Sequence, residues 1–198
     1  MPKAIDHDQR RREIIDATWG LIVRGGLEAA TMREIATEAG FANGALKHYF
    51  PGKDEIITGA YERAMEGVIS RLGDSAVNLQ GIDALRAIVT ATMPMDDLSR
   101  ESARVLLAFW ERGLSSEAIR DSYQTHLSNW HRDLGALIAA CREQGSISTS
   151  TPDEDLVHEI VLLNAGATAL CAIGPQYATP AVIQRLIDDF FHRLTTVN

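Results

Sequence analysis

Cysteine is nearly missing from this sequence: of 198 residues, only Cys141 and Cys171 are cysteine. They form no CxxC pair, lack a resolving partner and stand at no metal-like spacing from histidine. That excludes a disulfide-stapled secreted domain and fits a reduced, cytoplasmic protein. Long apolar runs are also lacking. The longest, roughly Ile160 to Gly174, contains Asn164 and falls short of the roughly 20 residues of a membrane span. It reads as a buried helix, and no membrane partner is expected. The N-terminal stretch MPKAIDHDQRRRE has no apolar core of a signal peptide. Catalytic signatures are missing as well: there is no P-loop, GxSxG or HExxH. His126 and His131 are five residues apart, a spacing that puts them on different helix faces. No catalytic residue, metal site or cofactor is expected.

Lysine is the next scarcity. There are three, Lys3, Lys47 and Lys53, and all lie in the first 53 residues. The formal net charge of −8 hides a division. Residues 1–53 carry eight basic and seven acidic groups, whereas residues 54–198 carry eleven basic and twenty acidic ones. A small polyanion-facing module attached to a larger acidic body has this asymmetry.

What the sequence does have is helical periodicity. No segment alternates as a strand does, and Gly, Pro and Thr-Pro pairs punctuate apolar stripes. A first helix is predicted from about Asp8 to Arg24, stopped by Gly25-Gly26. Thr31 with Glu34 forms a capping box, and Met32, Ile35, Ala36 and Ala39 form the stripe of a short helix ended by Gly40. A third helix is predicted at about 42–49, and a long one from Lys53 to about Leu72 with Asp54 and Glu55 in its first turn. Others follow near 82–92, 98–112 and 116–143. Two late helices, to about Ile173 and Leu194, open at Thr151-Pro152 and Thr179-Pro180, where threonine caps and proline fills the first turn. The expected fold is all-α with about nine helices. Two short helices around a glycine turn suggest a helix-turn-helix.

In the third predicted helix, Leu46, Tyr49 and Phe50 point together and form the buried face. Gly44 and His48 lie opposite, flanked by Ala45 and Lys47, with Asn43 at the edge. A glycine in mid-helix costs about 1 kcal/mol against alanine. Close approach to a groove wall would account for it; an incidental glycine on a solvated face fits the same pattern. Lys47, Lys53 and the helix N-terminus near Lys53 suit phosphates, while His48 and Asn43 suit base edges.

With RRREIIDATWGLI followed by RGGLEAATMREIATEAGFANGALKHYFPGKDEI, residues 10–55 resemble the DNA-binding domain of the TetR family of bacterial transcriptional repressors. The resemblance rests on Gly26, Thr31, Ile35, Ala36, Ala39, Gly40, Gly44, Leu46, Tyr49, Phe50, Pro51, Lys53 and Glu55. It implies a DNA-binding domain over 1–53, with contacts from Thr31, Arg33, Asn43, Gly44, Ala45, Lys47, His48, Tyr49 and Lys53. It also implies a ligand-binding and dimerisation domain over 54–198. Two positions depart from the family. Ala42 stands where a capping serine or threonine is usual, a loss of roughly 1 kcal/mol unless Asn43 shifts the cap. Lys47 replaces a phosphate-gripping tyrosine, which should make binding more salt-sensitive.

The later segment ARVLLAFWERGLSSEAIRDSYQTHLSNWHRDL is similar to repressors of choline-to-betaine synthesis. The partners so implied are a double-stranded DNA operator, a second copy of the chain and a small-molecule effector. The last two helices carry Leu156, Val157, Ile160, Val161 and Leu170, and Ile183, Leu186, Ile187, Phe190 and Leu194. By resemblance they pair with their mates in a four-helix dimer interface; a monomer core fits the same residues. Trp110, Tyr123 and Trp130, with Asn164, are candidate effector contacts. Aromatics near Glu111 suit a quaternary ammonium through cation–π attraction, and ordinary core packing also suits them. The expectation is a homodimeric repressor released from a palindromic operator by its effector. The alternative is a helical small-molecule-binding protein without operator-specific DNA binding.

Overall fold

The computed structural model of the protein describes residues 6–42, 44–77 and 79–196. Among them are eight α-helices and one short 3-10 helix, Ala45–His48. The α-helices are α1 (His7–Ala29), α2 (Met32–Glu38), α3 (Lys53–Val77), α4 (Gly81–Thr92), α5 (Asp97–Gly113), α6 (Glu117–Glu143), α7 (Asp153–Ile173) and α8 (Pro180–Thr195). No strand occurs among the described residues. The chain divides into two compact units, one of residues 1–65 and 104–121, the other of 66–103 and 122–198.

In the first unit, α1 begins where the Asp6 carboxylate accepts from the N–H groups of Asp8 and Gln9 at 3.1 and 3.0 Å. It buries Ile14, Thr18, Trp19 and Ile22. The expected stop at Gly25-Gly26 takes the form of a break: Gly26 adopts φ 72°, and one more turn runs to Ala29. Helix α2 starts as its capping box predicts, with the Glu34 N–H donating to Thr31 Oγ1 at 3.1 Å. Its end is a Schellman turn: Gly40 sits at φ 72°, the Phe41 N–H reaches the Ala36 carbonyl at 2.8 Å, and the Gly40 N–H reaches Thr37 at 3.1 Å. Further on, the Tyr61 and Phe109 rings stack at 4.2 Å and 12°, joining α3 to the closing part of α5.

The third predicted helix is corrected by the structure. It is a four-residue 3-10 turn over Ala45–His48 without a side-chain cap, in place of an α-helix over 42–49. Ala42 offers no capping oxygen and Gly44 disfavours helix, so too few residues remain to nucleate α-geometry.

The second unit is built on one core. Leu85 and Val89 of α4, Leu134, Ile138 and Cys141 of α6, Leu156 and Ile160 of α7, and Ile187, Phe190 and Phe191 of α8 are all buried in it. Each such aliphatic or aromatic side chain contributes about 1.5–3 kcal/mol through burial. Both cysteines are buried thiols, and burial pushes the Cys141 thiol above its ordinary pKa, so it is a packing group. The Thr-Pro expectation holds for one helix. Thr179 caps α8 through the Val182 N–H at 3.3 Å, but α7 opens at Asp153 with Pro152 as its cap residue. Thr151 instead gives its carbonyl to Arg142 Nη2 at 2.8 Å.

Helix α7 has 21 residues and a mean hydropathy of 1.7 over its most apolar window. It is longer than the apolar run expected, and among the described residues it alone reaches the length and composition of a membrane span. Its apolarity is two-sided. Leu156, Val157 and Ile160, together with Ile183, Ile187, Phe190 and Leu194 of α8, are buried inside the protomer. Most residues expected to face a second copy are therefore core. The outward stripe of α7 is instead Leu162, Gly166, Leu170 and Ile173, with Leu162 71% and Ile173 79% exposed.

Candidate nucleic-acid interface

The segment between Gly40 and Pro51 presents two chemically distinct sides. Leu46 and Phe50 are each 1% exposed and anchor it to the unit, while Gly44, Lys47 and His48 are exposed. Ala45 and Tyr49 are half-buried. The division follows the expected faces at Gly44, Leu46, Lys47, His48 and Phe50, whereas Tyr49, expected on the buried face, is only half-buried. A Cβ built on Gly44 meets nothing within 4 Å, so this backbone lies open. Thr31 and Arg33, at the start of α2, are exposed as well. Asn43 lies outside the described residues.

Lys53 stands differently from Lys47. It is half-buried at the start of α3, and its Nζ donates to the Leu27 carbonyl at 3.3 Å. An ammonium has three donors, so this bond leaves others for an anion. The next residue, Asp54, takes a fork from Arg112 at 2.6 and 3.2 Å and a bond from the Ser116 hydroxyl at 2.8 Å. Arg112 above all, then Ser116, holds the Asp54 carboxyl below the usual aspartate pKa, against the opposing effect of burial.

Sequence reasoning missed the grip that α1 exerts on this segment. Arg11 Nη1 donates to the Tyr49 carbonyl, and its guanidinium lies 4.1 Å from the Phe50 ring centroid. The His7 and Tyr49 rings are 4.8 Å apart. These pairs are 38 to 42 residues apart in sequence, and no periodicity reports them.

The four candidate effector contacts divide between the units: Trp110 belongs to the first, Tyr123, Trp130 and Asn164 to the second. Asn164 is buried and donates to the Thr92 carbonyl at 2.8 Å. Trp130 packs on the edge of the core, and the Tyr123 ring stacks with His126 at 6.4 Å. None of these three lines the cleft of about 600 Å³ between the end of α3 and α4. That cleft is bounded by Arg71, Leu79, Asp83, Arg86, Met93, Met95 and Asp96, among others. Burial lowers the pKa of Arg71, which donates to the Ala91 carbonyl at 3.0 Å, while Asp96 opposes the shift. The cleft has the size of a small-molecule site.

A second groove, of about 460 Å³, lies between α7 and α8, lined by Leu162, Leu163 and Leu186 with Asp155, His158, Glu159, Asp189 and Arg193. The mixture of leucines and charged side chains makes this surface amphipathic. Among the described residues no group of three histidine, cysteine or acidic side chains suits a metal.

Two family models match the chain. Residues 14–60 match bacterial regulatory proteins of the tetR family, and residues 81–196 match the C-terminal part of BetI-type transcriptional repressors. The chain is 30% identical over 189 residues to the HTH-type transcriptional regulator PksA of Bacillus subtilis, spanning 94% of this chain and 90% of that protein. It is 26% identical over 207 residues to the HTH-type transcriptional regulator BetI of Vibrio parahaemolyticus, spanning 99% and 97%. In fold it is similar to a transcriptional regulator from Saccharomonospora viridis solved in complex with choline. That match has a TM-score of 0.82 at 22% identity, over 93% of this chain and 96% of the other.

Proposed function

Because the chain belongs to the TetR family of bacterial transcriptional regulators, we propose that it is a homodimeric repressor that releases a palindromic operator when a small molecule binds. The observation that carries the DNA-reading part is the two-sided segment after α2, with Leu46 and Phe50 buried and Gly44, Lys47 and His48 exposed. Lys47 neutralises a phosphate, and His48 reaches a base edge where the open backbone at Gly44 allows close approach. Residues 1–53 act as the DNA-binding domain and 54–198 as the ligand-binding and dimerisation domain. The protein acts in the cytoplasm, where its operator is.

Two copies are needed because a helix-turn-helix reader engages two half-sites. The exposed stripe Leu162, Gly166, Leu170 and Ile173, with Leu186 beside it, supplies the apolar surface for the second copy. The effector binds in the second unit, where Tyr123, Trp130 and Asn164 suit a small quaternary ammonium compound. It must bind the DNA-free conformation more tightly, since equal affinity for both states shifts nothing.

A salt-dependent gel shift with the DNA upstream of its own coding sequence tests this reading, with and without choline. Sequence-specific binding that weakens as choline is added supports it. Absent or sequence-independent binding at moderate salt, with choline still quenching tryptophan fluorescence, would favour a small-molecule-binding protein that reads no operator.

A further inference from the structure

A 3-10 turn of four residues without a side-chain cap has little means of holding its own position. Beyond the anchor of buried Leu46, its order comes from what grips its ends, and both ends are gripped by α1. On the exit side, the Arg11 guanidinium lies 4.1 Å from the centroid of the Phe50 ring while its Nη1 donates to the Tyr49 carbonyl. His7, four residues earlier and so on the same helix face, sets its ring 4.8 Å from that of Tyr49, tilted by 45°. On the entry side, Arg10 lies 5.4 Å from the Phe41 ring, and Phe41 meets Tyr49 edge-on at 5.5 Å. Gly44, Lys47 and His48, the exposed groups, lie between these anchors.

We infer that Arg11 is a positioning residue for DNA reading: its guanidinium locks the exit of the reading segment through the Tyr49 carbonyl and the Phe50 ring, and its charge is not spent on a phosphate. The inference rests on the DNA-binding reading above. A guanidinium suits the task because its plane covers a ring while an in-plane N–H donates to a carbonyl. An ammonium has the same charge but no plane to stack. The basic run RRR at the start of α1 would, from sequence, be assigned to phosphates. Arg11 departs from that because one face of its guanidinium and its Nη1 are engaged within the protein, on Phe50 and the Tyr49 carbonyl.

The test compares full-length wild type with Arg11→Ala and Arg11→Lys. A fluorescein-labelled duplex of the upstream DNA is titrated at several salt concentrations, well below each Tm. Amide hydrogen exchange of the peptide spanning 42–50 is followed without DNA. Expected are a loss of about tenfold in affinity for Arg11→Ala at every salt concentration, an unchanged slope of log affinity against log salt, no recovery with lysine, and faster exchange in 42–50. A slope reduced by about one unit and restored by lysine would instead make Arg11 a phosphate contact and overturn the inference. A lowered Tm with unchanged affinity and exchange would reduce it to a general structural role, which also overturns it. Should Arg11→Ala not fold, Arg11→Lys and Phe50→Leu carry the same comparison, and wild-type exchange in both sinks the idea. If wild type binds no DNA, the DNA-binding reading itself has failed, an outcome distinct from the others.

Discussion

Asp54 and Arg112, 58 residues apart, meet through two guanidinium nitrogens, Nε at 2.6 Å and Nη2 at 3.2 Å. The pair joins the first turn of α3, one residue beyond Lys53, to the last turn of α5. The Ser116 hydroxyl completes it at 2.8 Å. A fork of this kind is geometrically specific, and its partial exposure limits its energy.

The Asp54 carboxyl is held below its ordinary pKa, chiefly by Arg112. A depressed carboxyl stabilises the fold above the unfolded aspartate value near 4, and that contribution is lost as pH falls through the lower folded value. Asp54→Asn is therefore expected to lower Tm by roughly 2–4 °C at pH 7, with the gap to wild type closing below about pH 4. Thermal melts of both proteins across pH 3 to 7 check this. A gap independent of pH would mean that shape, not charge, is what matters at this position.

Gly44 has open space around it and stands on the exposed side of the reading segment. Gly44→Leu is expected to abolish operator binding and leave secondary structure and Tm close to wild type, since an exposed substitution costs within about 0.5 kcal/mol. Anisotropy titration together with circular dichroism measures both. Full operator affinity in this variant would show that this face does not meet DNA.

Lys47 carries the charge where the family usually has tyrosine. Lys47→Ala should weaken binding to specific and unrelated duplexes alike and reduce the salt slope by about 1. A loss confined to one sequence would make Lys47 a base contact.

Leu162 and Leu186 are 71% and 47% exposed in the protomer. Leu162→Glu with Leu186→Glu is expected to halve the solution mass at micromolar concentration while the far-ultraviolet spectrum stays unchanged. Sedimentation equilibrium decides it. An unchanged dimer mass would move the subunit contact elsewhere.

Gly40 holds φ 72° at the end of α2, where two backbone bonds depend on the turn. Gly40→Ala should destabilise the protein by about 1–2 kcal/mol through the left-handed penalty, read as a lower urea midpoint. An unchanged midpoint would mean that the turn relaxes without cost.

Local chemistry made much of this legible from sequence. The capping box of Thr31 and Glu34, the stop at Gly40 and the acids opening α3 depend on neighbours a few residues away, and the structure has each of them. The buried and exposed sides of the segment from Gly44 to Phe50 follow from apolar spacing in the same way. Its 3-10 geometry was less visible, because helix length depends on a balance of small terms that Ala42 and Gly44 tip together.

Sequence by itself determined the helical class, most of the helix positions, the basic segment after α2 and its resemblance to a family, all of which rest on periodicity and local turn chemistry. Tertiary structure alone decided which side of each apolar helix is core. Leu156, Ile160 and Ile187 turned inward and left Leu162, Leu170 and Ile173 outside, because α7 is apolar all round and periodicity cannot choose a side. It also decided the long-range pairings, Arg11 with Tyr49 and Phe50 and Arg112 with Asp54. Such contacts join residues tens of positions apart, and only the packing of the whole unit brings them within bonding distance.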